Sequence, residues 1–416
     1  MNNKQYPQLR FKGFSDAWEQ RKFETVFTYL PNNSLSRSEL SDDLGELHSV
    51  HYGDVLIKYS EVLNCDIDSI PKVIDSNKIK NIQAALLQDG DVVIADAAED
   101  STVGKCSEIR NLRNKKIVSG LHTIPVRPYN KYATGFLAYF MNSPSYHNQL
   151  LPLMQGTKVS SISKSILKDT ILLTPMAEEE QEKIGKSFLD LDNLITLHQR
   201  KCDQLKTIKK ALLQKMFPKS GSSVPEVRFK GFSDAWEQRK LGNIANKVTE
   251  KNSLCSIKET FTNSAEFGII SQRDFFDHDI SNSDNIENYY IVQEGDFVYN
   301  PRISTSAPCG PINCNLLGRK GIMSPLYTIF RAQNSNLSFL SWYFKTNIWH
   351  SYMRFNGDSG ARSDRFSIKD ELFFQMPIPY PTLKEQNQIG IFFTELDTLI
   401  TLHQRKCDQL KTIKKA

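Results

Sequence analysis

The sequence predicts an α+β chain: two domains in pseudo-twofold repeat, separated by two long antiparallel coiled-coil helices. Three observations carry this. The run LITLHQRKCDQLKTIKKA stands at Leu194–Ala211 and returns unchanged at Leu399–Ala416. The run RFKGFSDAWEQRK stands at Arg10–Lys22 and again at Arg228–Lys240. Between each motif and its helix lies a body of different letters with landmarks in the same order: Gly90-Asp91 and Gly295-Asp296, Gly156 and Gly357, Lys168-Asp169 and Lys369-Asp370. The repeat fills half the chain, far longer than a solenoid period, so it marks a duplicated unit.

In chain order, the expected boundaries are a first body at 1–177, its helix at 178–217, a flexible PKSGSSV linker at 218–224, a second body at 225–381 and its helix at 382–416. The first body shows short β-branched or aromatic runs split by turn residues: HYGDVLIKYSEVL, DGDVVIADAA, KKIVSGLHTIPVR and DTILLTP. A helical patch, GFLAYFMNSPSYHNQLL, precedes the glycine–hydroxyl loop QGTKVSSIS. The second body repeats the order with EFGIISQRDFF, EGDFVYNPRIS, GIMSPLYTIFRA and ELFFQMPIP as strands, then LSFLSWYFKTNIWHSYMRF as helical patch and NGDSGARSDRFS as loop. Gly-Asp before a strand reads as a turn. Trp18 and Trp236 read as anchors locking each motif onto its core.

The long helices follow from periodicity. Apolar or small residues step by four and three through Ile184, Phe188, Leu191, Ile195, His198, Cys202 and Leu205, and the seam of the second copy takes Ile389, Phe393, Leu396, Ile400 and Leu410. A second row through Leu194, Leu197, Ile208 and Leu212 widens the apolar face. Glu178, Glu179 and Glu180 open the first helix and lysines close it, the polarity its dipole favours. Thr382 and Glu385 have capping-box spacing. Pro175 fits a first helical position and Pro218 a stop. The first helix runs on through Leu212, Leu213, Gln214, Lys215, Met216 and Phe217; the second copy stops at Ala416.

Composition narrows the function classes. The 416 residues carry 52 Lys+Arg against 47 Asp+Glu, a net charge of +5, which permits a polyanionic partner without demanding one. The polar start and the lack of a long apolar run argue against signal peptide and membrane span. Seven cysteines are scattered without a CxxC pair, which points to reduced thiols in a cytoplasmic protein and to no metal site. No phosphate loop, GxGxxG, HExxH or GxSxG is present, and Asn300-Pro301 is followed by Arg302. The chain reads as a recogniser. Identical helices suit a shared core or two copies of one partner; divergent bodies suit reading two different things.

With these parts in order, the chain resembles the specificity subunit of Type I restriction–modification systems over essentially its whole length. The resemblance rests on the twice-used RFKGFSDAWEQRK, the segments DGDVVIADAAEDSTVG and EGDFVYNPRISTSAPCG, and the EEQEKIG…LDNLITLHQRK helix. It implies that each body is a target-recognition domain reading one half of a bipartite double-stranded DNA site. It also implies that the helices are a spacer, that two methyltransferase subunits bind around them, and that two restriction/translocase subunits join for cleavage. S-adenosylmethionine, ATP and Mg²⁺ would belong to those partners, and this chain would be non-catalytic. A spacer helix of roughly 50 Å at 1.5 Å per residue suits two readers about one DNA turn apart, near 34 Å.

Candidate DNA contacts follow from chemistry. In the first body the loop Gly156–Ser163 offers Lys158, Ser160 and Ser161 to phosphate or base edges, or is an ordinary solvated turn. Lys58 and Tyr59 end a strand run. Arg110, Arg113, Lys115 and Lys116 form a basic cluster in an expected hairpin, equally readable as phosphate contact or solvated loop. In the second body Arg354, Arg362, Ser363 and Arg365 surround the matching loop, and arginine suits bidentate contact with guanine. Arg302 and Ser304 follow the Gly-Asp strand and Arg273 follows GIISQ; these three are equally readable as surface positions.

Overall fold

The computed structural model describes residues 7, 9–79, 81–156, 158–219, 221–275, 283–359 and 364–415. Its contacts divide the chain into two compact units, residues 1–198 with 406–416, and residues 199–405. Each unit therefore takes one body, the start of the helix that follows that body, and the far part of the other helix. No helix among the described residues is long and apolar enough to cross a membrane.

The first unit is built on a five-stranded sheet in the order Phe27–Tyr29, Thr123–Pro128, Val92–Ala95, Cys106–Arg110, Val62–Asn64, antiparallel except for its last pair. A second sheet of four strands pairs Lys116–Ser119 parallel to Leu47–Val50. The second unit repeats the main sheet in the order Ala245–Lys247, Thr328–Ala332, Phe297–Tyr299, Ile312–Cys314, antiparallel throughout. In both units the last four residues of the repeated motif form a strand against the last strand of the body: Glu19–Lys22 on Ile171–Thr174, and Glu237–Lys240 on Pro377–Tyr380. Motif and body thus close on each other before the helix begins.

The Gly-Asp landmarks are turns whose carboxylate is used twice. Asp91 accepts the Gln88 amide at 2.7 Å and a two-pronged pair from Arg127 on the neighbouring strand at 2.8 and 2.7 Å. Asp296 does the same with Gln293 at 2.8 Å and Arg331 at 2.7 and 2.9 Å. Buried carboxylates need such partners, because an unpaired charge away from water is costly.

Three strand expectations are corrected; in EFGIISQRDFF the strand is Gly268–Ser271 and Gln272–Phe275 is helical. In HYGDVLIKYSEVL the segment Tyr52–Ile57 is a helix, started by His51, whose Nδ1 accepts the Gly53 amide at 3.2 Å; only Val62–Asn64 is strand. In ELFFQMPIP, Asp370–Phe374 is helical and the strand is Pro377–Tyr380. Lys116 opens a strand paired in the other sheet from Cys106–Arg110, so the basic cluster sits in a crossover between sheets and not in a hairpin.

The long helices span Glu178–Lys215 and Leu383–Lys415. The first begins three residues after Pro175, whose carbonyl accepts Gln181 Nε2 at 3.0 Å. Only half of the expected capping box forms at the second. Thr382 accepts the Glu385 amide at 3.4 Å, but the Glu385 carboxylate turns to Arg228 of the motif at 2.7 and 2.9 Å. Glu180 and Arg10 repeat that fork at 2.6 and 2.8 Å. The repeated glycine of each helix marks close approach: a Cβ at Gly185 would run into the Thr134 carbonyl, and one at Gly390 would lie 2.7 Å from Asn336 Oδ1.

Within each unit the two helices are antiparallel. In the second, Cys202 Sγ approaches the Ile400 carbonyl at 3.9 Å while Lys209 pairs with Asp397. In the first, Cys407 Sγ approaches the Ile195 carbonyl at 3.9 Å while Lys414 pairs with Asp192 at 2.6 Å and Glu61 at 2.7 Å. Ile389, Phe393, Leu396, Ile400 and Leu410 are buried; Ile184, Phe188, Leu191, Ile195 and Leu205 are half-buried. The second apolar row does not widen the buried face as expected: Leu194, Leu197 and Ile208 are exposed, and only Leu212 packs inward.

Candidate nucleic-acid interface

Beyond each Gly-Asp strand the chain leaves the sheet and pairs with the glycine loop. In the first unit Ala97–Ala98 lies antiparallel to Ser160–Ser161, with Ala97 opposite Ser161, and the Ile162 amide donates to the Asp96 carbonyl at 2.9 Å. In the second unit Arg302 lies opposite Arg365, and the Phe366 amide donates to the Pro301 carbonyl at 2.7 Å. These are the same bonds at equivalent positions. Ala97 and Ser161 in one body stand where Arg302 and Arg365 stand in the other.

The first loop is closed by two backbone bonds between Gln155 and Ser161, at 3.0 and 2.8 Å. Gly156 makes this possible: its φ is +108°, and a side chain there would strike the Val159 carbonyl. Lys158 and Ser161 are exposed and Ser160 is half-buried, so a long flexible cation and a hydroxyl project from this closed loop. Beside this strip lies a group that sequence reasoning did not select. His122, in a left-handed turn with φ +53°, donates from Nδ1 to Asp96 at 3.2 Å, and the Tyr52 ring meets its ring edge-on at 5.3 Å. Burial pushes the Asp96 carboxyl up, and His122 acts against that. Asp96 and His122 are 26 positions apart in sequence, and only strand pairing joins them.

The other first-body candidates group elsewhere. Lys58 Nζ donates to the Ser69 carbonyl at 2.6 Å, Arg113 pairs with Asp66 at 2.7 Å, and Lys115 donates to the Cys65 carbonyl. All three hold the turn that follows Val62–Asn64. Arg110 is engaged by the buried Glu108 at 2.5 Å. Tyr59 is a core residue, its hydroxyl donating to Ser69 at 3.2 Å, so its selection as a DNA contact is corrected by burial. Lys116 is exposed at the start of its strand.

In the second unit Arg302 and Arg365 are exposed, and Arg365 Nε is 3.8 Å from Asp364. Asn300 holds the segment from beneath: its Oδ1 accepts the Arg302 amide at 3.0 Å and its Nδ2 donates to the Asn263 carbonyl at 2.8 Å. Behind it Asn313 donates to Asn263 Oδ1 at 2.6 Å and accepts from Lys345 Nζ at 2.7 Å. A buried amide network of this kind fixes one backbone position, since each lost bond would leave a polar group unsatisfied. Ser304 closes a tight turn with Ala307 through reciprocal backbone bonds at 3.1 Å. Arg354 ends the helix His350–Asn356, next to Cys309; burial raises that thiol's pKa and the guanidinium opposes it. Arg273 is exposed on the short helix Gln272–Phe275. Arg362 and Ser363 lie outside the described residues. Among the described residues no cluster of three His, Cys, Asp or Glu side chains could hold a metal ion.

Comparison with known proteins bears on both units. The family model for the Type I restriction modification DNA specificity domain matches residues 42–207 and 233–412. A putative type I restriction enzyme MjaX specificity subunit from Methanocaldococcus jannaschii is 24% identical, covering 96% of this chain and 91% of that protein. The type I restriction enzyme MjaVIII specificity subunit of the same organism is 25% identical over 63% of each. Among solved structures, the S subunit of a Type-I restriction-modification system from M. genitalium matches with TM-score 0.56 at 12% identity, covering 98% of this chain and 96% of that one. A chain from a structural study of complex assembly and conformational transition in the type I R-M system matches with TM-score 0.51 at 15% identity, covering 98% and 97%.

Proposed function

The chain belongs to the Type I restriction-modification DNA specificity family, with two recognition domains, and from that premise we propose that each domain reads one half of a bipartite DNA site. The observation that carries this reading is the shared strip: one backbone scaffold, Gly-Asp strand plus glycine loop, presents different side chains in the two bodies. Arg302 and Arg365 suit bidentate contact with guanine or phosphate. Lys158, Ser160 and Ser161 suit backbone contact and hydroxyl readout.

The helices fix the gap between the half-sites and recruit two methyltransferase subunits, which are joined by two restriction/translocase subunits. Support comes from equal exposed apolar residues on the two units: Leu194, Leu197 and Ile413 on the first, and their repeat counterparts Leu399, Leu402 and Ile208 on the second. Exposed leucines at matched positions suit two copies of one partner. The chain itself is non-catalytic and works in the cytoplasm; S-adenosylmethionine, ATP and Mg²⁺ serve the partner subunits in methylation and cleavage.

The test is to co-express the chain with a Type I methyltransferase subunit in a host lacking other adenine methyltransferases and to map methyladenine by single-molecule sequencing. Methylation of one split motif, altered in one half only when residues 23–175 are exchanged, is the expected result. An intact complex that modifies nothing refutes the reading.

A further inference from the structure

Asp96 joins the glycine-loop strip of the first body to the turn beside it by three bonds. Its carbonyl accepts the Ile162 amide at 2.9 Å, its amide donates to the His122 carbonyl at 3.0 Å, and its carboxylate accepts from His122 Nδ1 at 3.2 Å. The turn is also pinned from behind. The Gly120 amide donates to the Val50 carbonyl at 2.8 Å, Thr123 Oγ1 donates to the Gly120 carbonyl, and the Tyr52 amide reaches the Leu121 carbonyl at 3.4 Å. His122 thus keeps a left-handed backbone, φ +53°, that side chains rarely adopt. Held this firmly, its side chain is still 52% exposed, against 25% for Asp96. Nδ1 is engaged; Nε2, on the other side of the ring, bonds none of the described residues.

The second body lacks both groups. The Phe366 amide bonds the Pro301 carbonyl as the Ile162 amide bonds that of Asp96, so a proline stands in the place of the carboxylate. The turn that reads Gly120-Leu121-His122 in the first body reads Ser324-Pro325-Leu326 in the second. Counting back along the paired strands puts Leu326 in the place of the imidazole. A pair needed to hold the common frame would be required in both bodies. This one belongs to a single reader.

The bond to Asp96 sets the chemistry of the ring. A carboxylate only accepts, so Nδ1 carries the proton and Nε2 of the neutral ring is an acceptor. In the major groove the donors that suit an acceptor are the exocyclic amines of adenine and cytosine; guanine and thymine present O6 and O4, which accept. Arg302 and Arg365 of the second body are donors only. The two bodies therefore offer hydrogen bonds of opposite sense.

We propose that His122, aimed by Asp96, is a specificity-determining residue of the first half-site that accepts on Nε2 the exocyclic amine of one adenine or cytosine. The inference rests on the DNA-reading assignment and adds the atom that reads and the class of base it takes.

The test uses the complex assembled with a Type I methyltransferase subunit. Methyladenine mapping supplies the wild-type motif, and fluorescence anisotropy then follows binding to duplexes with each position of the first half-site changed to every other base pair. His122→Gly suits the left-handed turn and removes the ring; Asp96→Asn keeps the ring and loosens the hold on its proton. The wild type should accept adenine or cytosine over guanine or thymine at one position. Both variants should lose that preference by about fivefold or more at the same position, with the second half-site read as before. Unchanged preference in His122→Gly overturns the proposal and leaves the DNA reading standing. A wild-type preference there for guanine or thymine, or an equal loss on every duplex, also overturns it, since the ring would then be a donor, a phosphate contact or a support of the fold. Loss in His122→Gly without loss in Asp96→Asn overturns the part given to Asp96. A wild-type complex that modifies nothing overturns the reading itself, and this inference with it.

Discussion

Ala97 opposite Ser161, and Arg302 opposite Arg365, occupy one backbone geometry and present opposite chemistry. The first strip is small and neutral, flanked by Lys158 on one side and the Asp96–His122 pair on the other. The second sets two exposed arginines opposite each other on paired backbone, an arrangement that like-charge repulsion disfavours and that an anion or the nearby Asp364 carboxylate offsets. The difference teaches where such a protein varies. Strand order, glycine and the bonds to the glycine loop are kept, because they set position; the side chains on that frame are exchanged, because they set what is read.

The largest expected effect comes from removing the arginines. Arg302→Ala and Arg365→Ala should each weaken binding to the matched target by roughly 5- to 150-fold if the contact is bidentate to a base. A phosphate contact would instead weaken all sequences alike and reduce the salt slope by about 0.9 per contact. Fluorescence anisotropy of the assembled complex, on matched and mismatched second half-sites across a salt series, separates the two. Unchanged binding on every duplex would remove this strip from the interface.

A comparable effect, confined to the other half-site, is expected of Asp96→Asn. It keeps the shape and a possible bond to His122 but replaces an acceptor-only carboxylate by an amide. If the pair reads bases, discrimination among first half-sites should shift by about 1–3 kcal/mol, while second half-site preference stays unchanged. Methylation mapping of the variant complex reads this directly.

Much of the frame was legible before any coordinates. Letter-for-letter repetition made the motif and both long helices plain, and Gly-Asp before a β-branched run gave the turns held by Asp91 and Asp296. What stayed hidden depended on contacts far apart in sequence. Tyr52–Ile57 reads as strand by composition, yet the His51 cap and packing against the main sheet make it helix, a tertiary override of local preference. Arg110, Arg113 and Lys115 look free in sequence; in the fold they are engaged at the turn after Val62–Asn64 or by Glu108. Asp96 and His122 could not be paired without knowing that their strands are neighbours.

A graft sharpens the comparison with a smaller effect. Ser161 is exposed and takes the place of Arg365, so Ser161→Arg should add a cation to the first strip without disturbing its backbone. Affinity for non-specific duplex should rise severalfold at low salt, with the salt slope steeper by about 0.9. No change in slope would mean that this strip does not face the phosphates.

The smallest effect concerns the support beneath the first strip. His51 caps the helix Tyr52–Ile57 by accepting the Gly53 amide on Nδ1, which only an unprotonated nitrogen can do. Burial pushes its pKa below the ordinary 6.5; Arg37 and His122 push the same way, and Asp54 opposes them. The folded pKa is depressed, so the neutral form is the one the fold stabilises. Its contribution is present above the unfolded value of about 6.5 and is lost as pH falls through the folded one. Melting of the wild-type first unit should therefore drop by about 2–4 °C between pH 7 and pH 5 beyond the drop in His51→Asn, which caps without titrating. His350 in the second unit is also depressed by burial and by Arg354, so the comparison must be made on His51→Asn and not between units. Equal pH dependence in wild type and variant would assign the acid-side loss to other groups.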